Sequence, residues 1–306
     1  MLDDFDSIQT LDSTAFLNQL VTLPHSYEGP DGIRKEPYGL MAYGEASIVP
    51  DLLASWFDAP VVVSGTQFLF AGGFDYGEVA PMKLNAELGG AEVIVLGHDV
   101  HEPNFEVKPS VLSTFTYAGY LAHATGHKED WGEANEQMNT LLQMVKPDIE
   151  TNQNPAKTLA WNLWNRVPLI VSGRQQAGLS KVVQRVLARV GKSLALTTHE
   201  HPLEVLTGAF EGRHQLGDDV VGLIVGDEDG EVALSKEVME SRIAQIESLQ
   251  LPFAGVAKAP EDTGAYNIVV WYLSLWVAAY LALLNKLDPA DSPVYETARN
   301  AVPQSS

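Results

Sequence analysis

The sequence predicts an α/β protein built from two similar doubly wound domains with parallel sheets. Short apolar runs that end in glycine, such as Leu40 to Gly44, alternate with helical segments along the chain. The alternation restarts with a similar run from Pro168 to Gly173, after a segment rich in proline and asparagine at 146–157. Strands that alternate with helices indicate βαβ units and a parallel sheet. The 306 residues suffice for two domains of about 150 residues each, and one larger sheet is the alternative.

Each half of the chain contains the elements of one such domain. In the first half the predicted strands lie at 40–44, 61–63, 68–71 and 92–97, and the predicted helices lie at 11–23, 48–57, 79–88 and, in two pieces, 107–145. In the second half the predicted strands lie at 168–173, 194–196, 220–226 and 253–257, and the predicted helices lie at 179–190, 236–249, 268–284 and 293–301. We therefore predict an N-terminal domain at 1–150 and a C-terminal domain at 151–306.

One apolar stretch, Ile268 to Leu284, has a length at the lower edge of a membrane span, which needs about 17 residues or more. It has no basic flank and it contains Ser274. Because flanking Lys and Arg residues usually accompany membrane helices, we expect a buried core helix, with a membrane span as the alternative.

The charge balance is strongly acidic, with 40 acidic residues, 19 basic residues and a formal net charge of -21. Nucleic-acid binding depends on Lys and Arg that neutralise phosphates, so this composition argues against it, and it disfavours anionic membrane surfaces too. The absence of cysteine excludes disulfides and thiolate catalysis. The acidic start of the chain shows no signal peptide, so we expect a cytoplasmic protein.

Ligands of open parallel sheets bind beyond the carboxyl ends of the strands, so the glycine loops are the first candidates. Gly44 is followed by Glu45 and Ser47, and Ser47 could donate to a phosphate or cap the next helix. The loop around Gly73 is flexible, but it contains Asp75 and no hydroxyl side chain. Its carboxylates, including Glu78, favour capping of the helix that follows.

A second candidate region is rich in histidine and acidic side chains. His199, Glu200 and His201 are consecutive, and His214 follows within a cluster that begins at Glu211. The spacing matches no established zinc motif, so we predict no metal site. General acid–base chemistry by a histidine is one interpretation, since histidine titrates near neutral pH, and a solvated loop is the other.

The carboxyl-terminal third has a distinctive order of elements. The apolar run from Ile268 ends at Asp288-Pro289, and Pro293-Val294-Tyr295-Glu296-Thr297-Ala298-Arg299 follows. This order resembles the carboxyl end of the bifunctional phosphoglucose/phosphomannose isomerases, and the element order agrees along nearly the whole chain. The resemblance implies two sugar-isomerase (SIS) domains and an aldose–ketose isomerase of sugar phosphates, with its active site in the cleft between the domains.

The resemblance also implies roles for individual residues. His214 matches the histidine near the sugar ring, while Ser292 and Arg299 match the terminal Thr and Lys of the family. The loops that hold Gly44, Ser47 and Gly73 match the loops that approach the phosphate.

Two departures from the family pattern leave the mechanism open. The family's base is a glutamate in the second domain, but no acidic residue lies between Glu150 and Glu200, and the nearest match is Arg189. Glu200, Glu204 or Glu211 would have to replace that base. The glycine loops also lack most of the family's hydroxyls, so a sugar-binding regulatory protein on the same scaffold is the alternative function.

The expected partner is a small sugar or sugar phosphate, without cofactor or metal, and the resemblance implies a homodimer. The helix at 268–284 gives a second argument for a dimer, because its aromatic side chains offer more apolar surface than one domain face needs. These side chains are Trp271, Tyr272, Trp276 and Tyr280.

Overall fold

The computed structural model describes residues 2–3, 13–72, 77–98, 100, 102–198, 206, 220–226, 230–252, 264–294 and 297. These residues belong to two compact units. The first unit comprises the described parts of 23–136, 263–267 and 290–306, and the second comprises those of 1–22, 137–262 and 268–289. Each unit contains one four-stranded parallel sheet. The predicted α/β class with two parallel sheets is confirmed, whereas the domain limits at 1–150 and 151–306 stay a prediction.

Most of the described strands coincide with predicted apolar runs, whereas β4 and β8 were not predicted as strands. In the first unit they are β1 Tyr38–Gly44, β2 Thr66–Gly72, β3 Glu92–His98 and β4 Phe105–Glu106. In the second unit they are β5 Val167–Val171, β6 Leu196–Thr197, β7 Val220–Ile224 and β8 Ser248–Gln250.

The helices fill the intervals between the strands. The described α-helices are α1 Ser13–Thr22, α2 Val49–Leu52, α3 Val79–Gly89, α4 Ser113–Thr125, α5 Lys128–Val145, α6 Pro155–Leu163, α7 Ala177–Arg189, α8 Gly230–Glu240 and α9 Gly264–Leu284. Gly126 takes a positive φ of 85° at the end of α4, which explains why the helical segment breaks there.

The first sheet has the simple order β1-β2-β3-β4, and all its pairs are parallel. Every residue of β2 is buried, as expected of a central strand that is covered on both faces. Leu69, Val79 and Val95 belong to one apolar cluster that joins this sheet to α3. The packing aligns the carboxyl ends of β1, β2 and β3 at one edge of the sheet.

The second sheet has the order β6-β5-β7-β8. The chain moves from β5 to one side for β6 and returns to the other side of β5 for β7. This reversal creates a topological switch point between β5 and β7. In open α/β sheets such a point opens a crevice beyond the carboxyl ends of the two strands.

Helix α9 is the core helix that the sequence predicts. It is long and apolar enough to cross a membrane, yet its most apolar stretch is 100% buried inside the protein. In the second unit Tyr272 donates to the carbonyl of Leu20 at 2.8 Å, and Tyr280 donates to that of Val145 at 2.6 Å. These bonds and the burial are typical of a soluble core helix.

The burial of α9 corrects one argument for a dimer. Trp271, Tyr272, Trp276 and Tyr280 are each no more than 1% exposed within the single chain. The apolar surface of the helix is therefore buried inside the protein, and its aromatic side chains offer no surface to a second subunit.

Several predicted elements were wrong in detail. Residues 48–57 form α2 with a 3₁₀ turn on either side, since Pro50 and the following turn prevent one continuous helix. Val61 and Val63 are exposed and lie outside any strand.

In the second half, β8 occupies residues where the sequence predicts the end of a helix. Helix α6 starts inside the proline- and asparagine-rich segment 146–157, and the side chain of Asn154 caps it by accepting from the backbone N–H of Lys157 at 3.0 Å. The strand predicted at 253–257 lies outside the described residues.

Candidate functional site

The carboxyl end of β1 turns sharply at Gly44. This residue takes φ 58° and ψ -130°, a region that favours glycine, and a 3₁₀ turn from Glu45 to Ile48 follows directly. The hydroxyl of Ser47 donates to the carbonyl of Gly44 at 2.7 Å. Ser47 therefore stabilises the turn instead of capping a helix. Because its hydroxyl proton is used in this bond, Ser47 could only accept a hydrogen bond from a ligand.

The end of β2 packs tightly against this turn. A Cβ built on Gly72 would lie 2.8 Å from the backbone nitrogen of Ala46 and 3.2 Å from that of Glu45. Only glycine permits this approach, which holds the backbone of Glu45 against the end of the neighbouring strand.

Two further titratable side chains lie at the same edge of the first sheet. Tyr117 of α4 is fully buried, stacks on Phe70 and donates its hydroxyl to the carbonyl of Ala71 at 3.0 Å. Burial, and secondly the negative charge of Glu45, raise the pKa of Tyr117 well above its ordinary value. His98 is 6% exposed at the end of β3, where it is the strand partner of Gly72.

The chemistry of this edge follows from these groups. Tyr117 stays protonated because an ionised phenol there would be buried near a carboxylate. Glu45 supplies a negative charge where a phosphate-binding loop would offer only N–H groups and hydroxyls. The edge is therefore better suited to hydroxyl or amine groups of a ligand than to its phosphate. The sequence interpretation missed Tyr117 and His98, although His98 directly follows the strand predicted at 92–97.

The turn after β5, at the carboxyl end of the second sheet, contains neutral polar groups. Ser172 follows β5, and its hydroxyl donates to the carbonyl of Gln176 at 3.3 Å. Ser180 of α7 donates to the Ser172 hydroxyl, and both serines are buried. These bonds fix the turn that leads from β5 into α7.

Gly226 lies across the switch point, just after β7, with φ at +95°. A Cβ at this position would overlap the carboxamide of Gln176, so that side chain packs directly on the glycine. From β8, the Nε2 of Gln250 donates to the carbonyl of Gly226 at 2.7 Å. Two carboxamides thus meet at one glycine beyond the carboxyl end of β7, one from the turn after β5 and the other from β8.

Charged groups flank this region as a pair. Arg174 precedes α7, and its Nε lies 3.8 Å from Oε2 of Glu231 in α8. The two charges offset one another.

All four predicted catalytic residues and one predicted substrate-binding residue lie outside the part of the chain that the structure describes. His214, Glu200, Glu211, Arg299 and Gly73 belong to this group. Gly44 and Ser47 lie together in the first turn, as described above. Ser292 is described, and its hydroxyl donates to the carbonyl of Asp291 at 2.7 Å. The described residues contain no group of three His, Asp or Glu side chains placed to hold a metal ion.

Comparisons with known proteins identify relatives of both halves of the chain. Residues 16–126 match the family model of the phosphoglucose isomerase N-terminal domain, and residues 152–302 match that of the bacterial phospho-glucose isomerase C-terminal SIS domain. None of the curated proteins matches the chain.

Solved structures agree with these matches. A glucose-6-phosphate isomerase like protein from Thermus thermophilus is 31% identical with a TM-score of 0.82, and the match covers 98% of this chain and 99% of that one. A glucosamine-6-phosphate deaminase from Thermotoga maritima is 11% identical with a TM-score of 0.57, covers 94% and 97% of the two chains, and shows the fold alone. With two matched domains and a full-length relative, the chain belongs to the phosphoglucose isomerase family with a bacterial-type C-terminal SIS domain.

Proposed function

We propose that the chain is an aldose–ketose isomerase of sugar phosphates that interconverts glucose 6-phosphate or mannose 6-phosphate with fructose 6-phosphate. The observation that carries this proposal is the match of both halves to phosphoglucose isomerase domains, together with the full-length relative at 31% identity. Neither the domain matches nor the full-length relative identifies the sugar that this chain binds. The named substrates are therefore part of the proposal.

The proposed reaction moves the C2 proton to C1 and a hydroxyl proton from O2 to O1, and it leaves the substrate's overall oxidation state unchanged. His214 assists the opening of the sugar ring. A carboxylate removes the proton from C2 to give an enediol, and it returns a proton to C1 to complete the ketose. Glu200, Glu204 and Glu211 are the candidates for this carboxylate, because the nearest match to the family's own base is Arg189. Arg299 would pair with the phosphate or orient the carboxylate.

We expect slow turnover with ordinary hexose 6-phosphates. Glu45 lies in the turn that would approach the phosphate, and like charges at close range cost on the order of 1 kcal/mol or more. The Glu45 position also supports a second candidate function, a sugar-binding regulatory protein that uses the isomerase scaffold without catalysis.

Proton exchange at C2 separates the two functions with high sensitivity. The purified protein is incubated with glucose 6-phosphate in deuterated buffer, and NMR follows the loss of the C2 proton. An isomerase exchanges this proton even when net turnover is slow, whereas a protein that only binds the sugar does not.

The His214→Ala variant tests the assignment of the site. We expect a loss of about 10²–10⁴-fold in turnover, the usual contribution of a positioned acid–base group. His25→Ala is a matched control, because His25 is exposed in the turn after α1. Turnover that survives His214→Ala would show that the site has been placed wrongly.

A further inference from the structure

Helix α3 exposes an apolar stripe at the surface of the first unit. Leu84 and Leu88, one turn apart, are 55% and 78% exposed, whereas Ala86 on the opposite side of the helix is buried. Ala80 and Pro81 are exposed one turn earlier, on the same side as the two leucines. A surface helix normally presents polar side chains there. We call the stripe of Ala80, Pro81, Leu84 and Leu88 the α3 face.

The α3 face continues onto the loop that precedes β2. A Cβ built on Gly89 would lie 3.3 Å from the Cβ of Val63, so Val63 packs on the end of the helix, next to Leu88. Val63 is 70% exposed, although its neighbour Val62 is buried. Contiguous exposed apolar surface of this kind usually marks an interaction site, because apolar side chains gain free energy when they leave water.

Two opposite charges lie along one flank of the α3 face. Between Glu78 and Glu92 the only charged residues are Lys83 and Glu87. Neither of these two side chains forms an ion pair with a residue that the structure describes. Within one helix, a lysine that precedes a glutamate by four residues is the less favourable order for pairing. Both charges are therefore available to a partner.

A second copy of this chain complements the apolar stripe and the two charges together. In an antiparallel contact around a two-fold axis, one flank of a helix meets the same flank of its partner in the reverse order. Leu84 then packs beside Leu88 of the partner subunit, and Lys83 lies beside Glu87 of the partner subunit. The same contacts form a second time by symmetry, so that every charge on this flank meets an opposite one.

We propose that two copies of the chain dock through the α3 face, antiparallel and around a two-fold axis. Leu84, Leu88 and Val63 form the apolar centre of the contact, and Lys83 pairs with the partner's Glu87 at its rim. An apolar centre with a polar rim is the usual anatomy of a protein interface. The family resemblance implies that a homodimer exists, and the α3 face locates the contact between its subunits. The contact does not depend on the proposed catalytic function.

Substitution of the two leucines tests the apolar centre. Light scattering coupled to size exclusion should give about twice the chain mass of 33.3 kDa for the wild-type protein, and the mass of one chain for the double variant Leu84→Asp, Leu88→Asp. Circular dichroism checks that the variant is folded, as expected for exposed positions. The matched control is Leu194→Asp, Ile243→Asp in the second unit, where both side chains are similarly exposed, at 69% and 70%. We expect this control to remain a dimer.

A charge exchange tests the antiparallel arrangement. Lys83→Glu alone, or Glu87→Lys alone, brings like charges together across the contact, so we expect either variant to raise the dissociation constant of the dimer about tenfold. The double variant Lys83→Glu, Glu87→Lys again has opposite charges at both places. We therefore expect it to regain the wild-type dissociation constant.

Three outcomes would overturn the proposal. One is a wild-type protein that has the mass of a single chain at micromolar concentration. Another is a dimer that persists unchanged when Leu84 and Leu88 are replaced by aspartate, because the subunits would then meet elsewhere. The third is a double charge exchange that dimerises no better than the single variants. Loss of the dimer in the leucine variant together with its recovery in the double charge exchange supports the α3 contact.

Discussion

Lys157 is a charged residue that lies completely buried in the second unit. Its Nζ donates to Oδ1 of Asp3 at 2.9 Å and to the carbonyls of Pro147 and Ile149 at 2.9 Å and 2.7 Å. These three acceptors use all three donors of the ammonium group. The ammonium group is thus accommodated in the interior because every one of its hydrogen bonds is made there.

Substitution of this lysine should destabilise the protein strongly. We expect Lys157→Met to lower the free energy of unfolding by about 2–4 kcal/mol, because it leaves two backbone carbonyls without their donor. Urea unfolding followed by tryptophan fluorescence measures the change. Lys128→Met is the matched control, since Lys128 forms an exposed pair with Asp31, and we expect about 1 kcal/mol or less. Equal effects of the two substitutions would contradict the argument.

The partner carboxylate of Lys157 should make stability depend on pH in the acid range. The hydrogen bond from Lys157 lowers the pKa of Asp3 below its ordinary value. A carboxylate with a lowered folded-state pKa contributes stability above the unfolded pKa of about 3.9, and it loses this contribution as the pH falls through the folded pKa.

The measurement compares Asp3→Asn with the wild-type protein across this range. We expect the wild-type advantage to be constant from about pH 5 to 8 and to disappear on acidification below about pH 4. Its size should be about 1 kcal/mol or less, because the Asp3 side chain is half exposed. An advantage that grows as the pH falls would contradict the assigned direction.

At the scale of elements, α9 determines the core of the second unit. Trp276 is fully buried and packs edge-on against Tyr272 with ring centroids 6.2 Å apart. The sequence already shows the apolar character of this helix, but length and hydropathy alone do not distinguish a core helix from a membrane span. Its contacts with α1 and α5 through the Tyr272 and Tyr280 hydroxyls make that distinction.

A pair of tryptophan substitutions tests this role of α9. We expect Trp276→Ala to cost about 3–5 kcal/mol of unfolding free energy, since it opens a large cavity in the core. Trp161→Ala should cost about 1.5 kcal/mol or less, because Trp161 is 52% exposed and contacts the ring of Trp164. Chemical unfolding of both variants gives the comparison, and a small loss in Trp276→Ala would show that α9 is not the core helix.

The two sheets differ in strand order, which their strand sequences do not reveal. Both consist of short apolar runs that end near a glycine, yet the first has a simple strand order and the second reverses at β5. Strand order depends on where each crossover helix packs, which involves contacts between residues far apart in the chain. Consequently only the structure identifies β5 and β7 as the pair that forms a switch point.

At the scale of the whole molecule, we still predict a homodimer. The prediction now depends on the family resemblance, because the aromatic face of α9 is used inside the chain. Light scattering coupled to size exclusion should give about twice the chain mass of 33.3 kDa at micromolar concentration. The mass of a single chain under these conditions would refute the dimer.

The sequence by itself determined the α/β class, the parallel sheets and the family resemblance. These properties depend on apolar periodicity, glycine positions and the order of elements, which are local or additive along the chain. Val61 and Val63 show the limit of such reasoning, because an apolar run forms a strand only where a neighbouring strand is available to pair with it.

The tertiary structure alone decided which polar groups come together. The burial of Lys157, the approach of Glu45 to the end of β2 and the meeting of Gln176 with Gln250 at Gly226 all join residues from separate elements. None of these side chains has a sequence signature, since each is an ordinary polar residue whose partners lie in other elements. The physical reason is that hydrogen bonds and desolvation depend on distances in space, and the packing of the apolar core sets those distances.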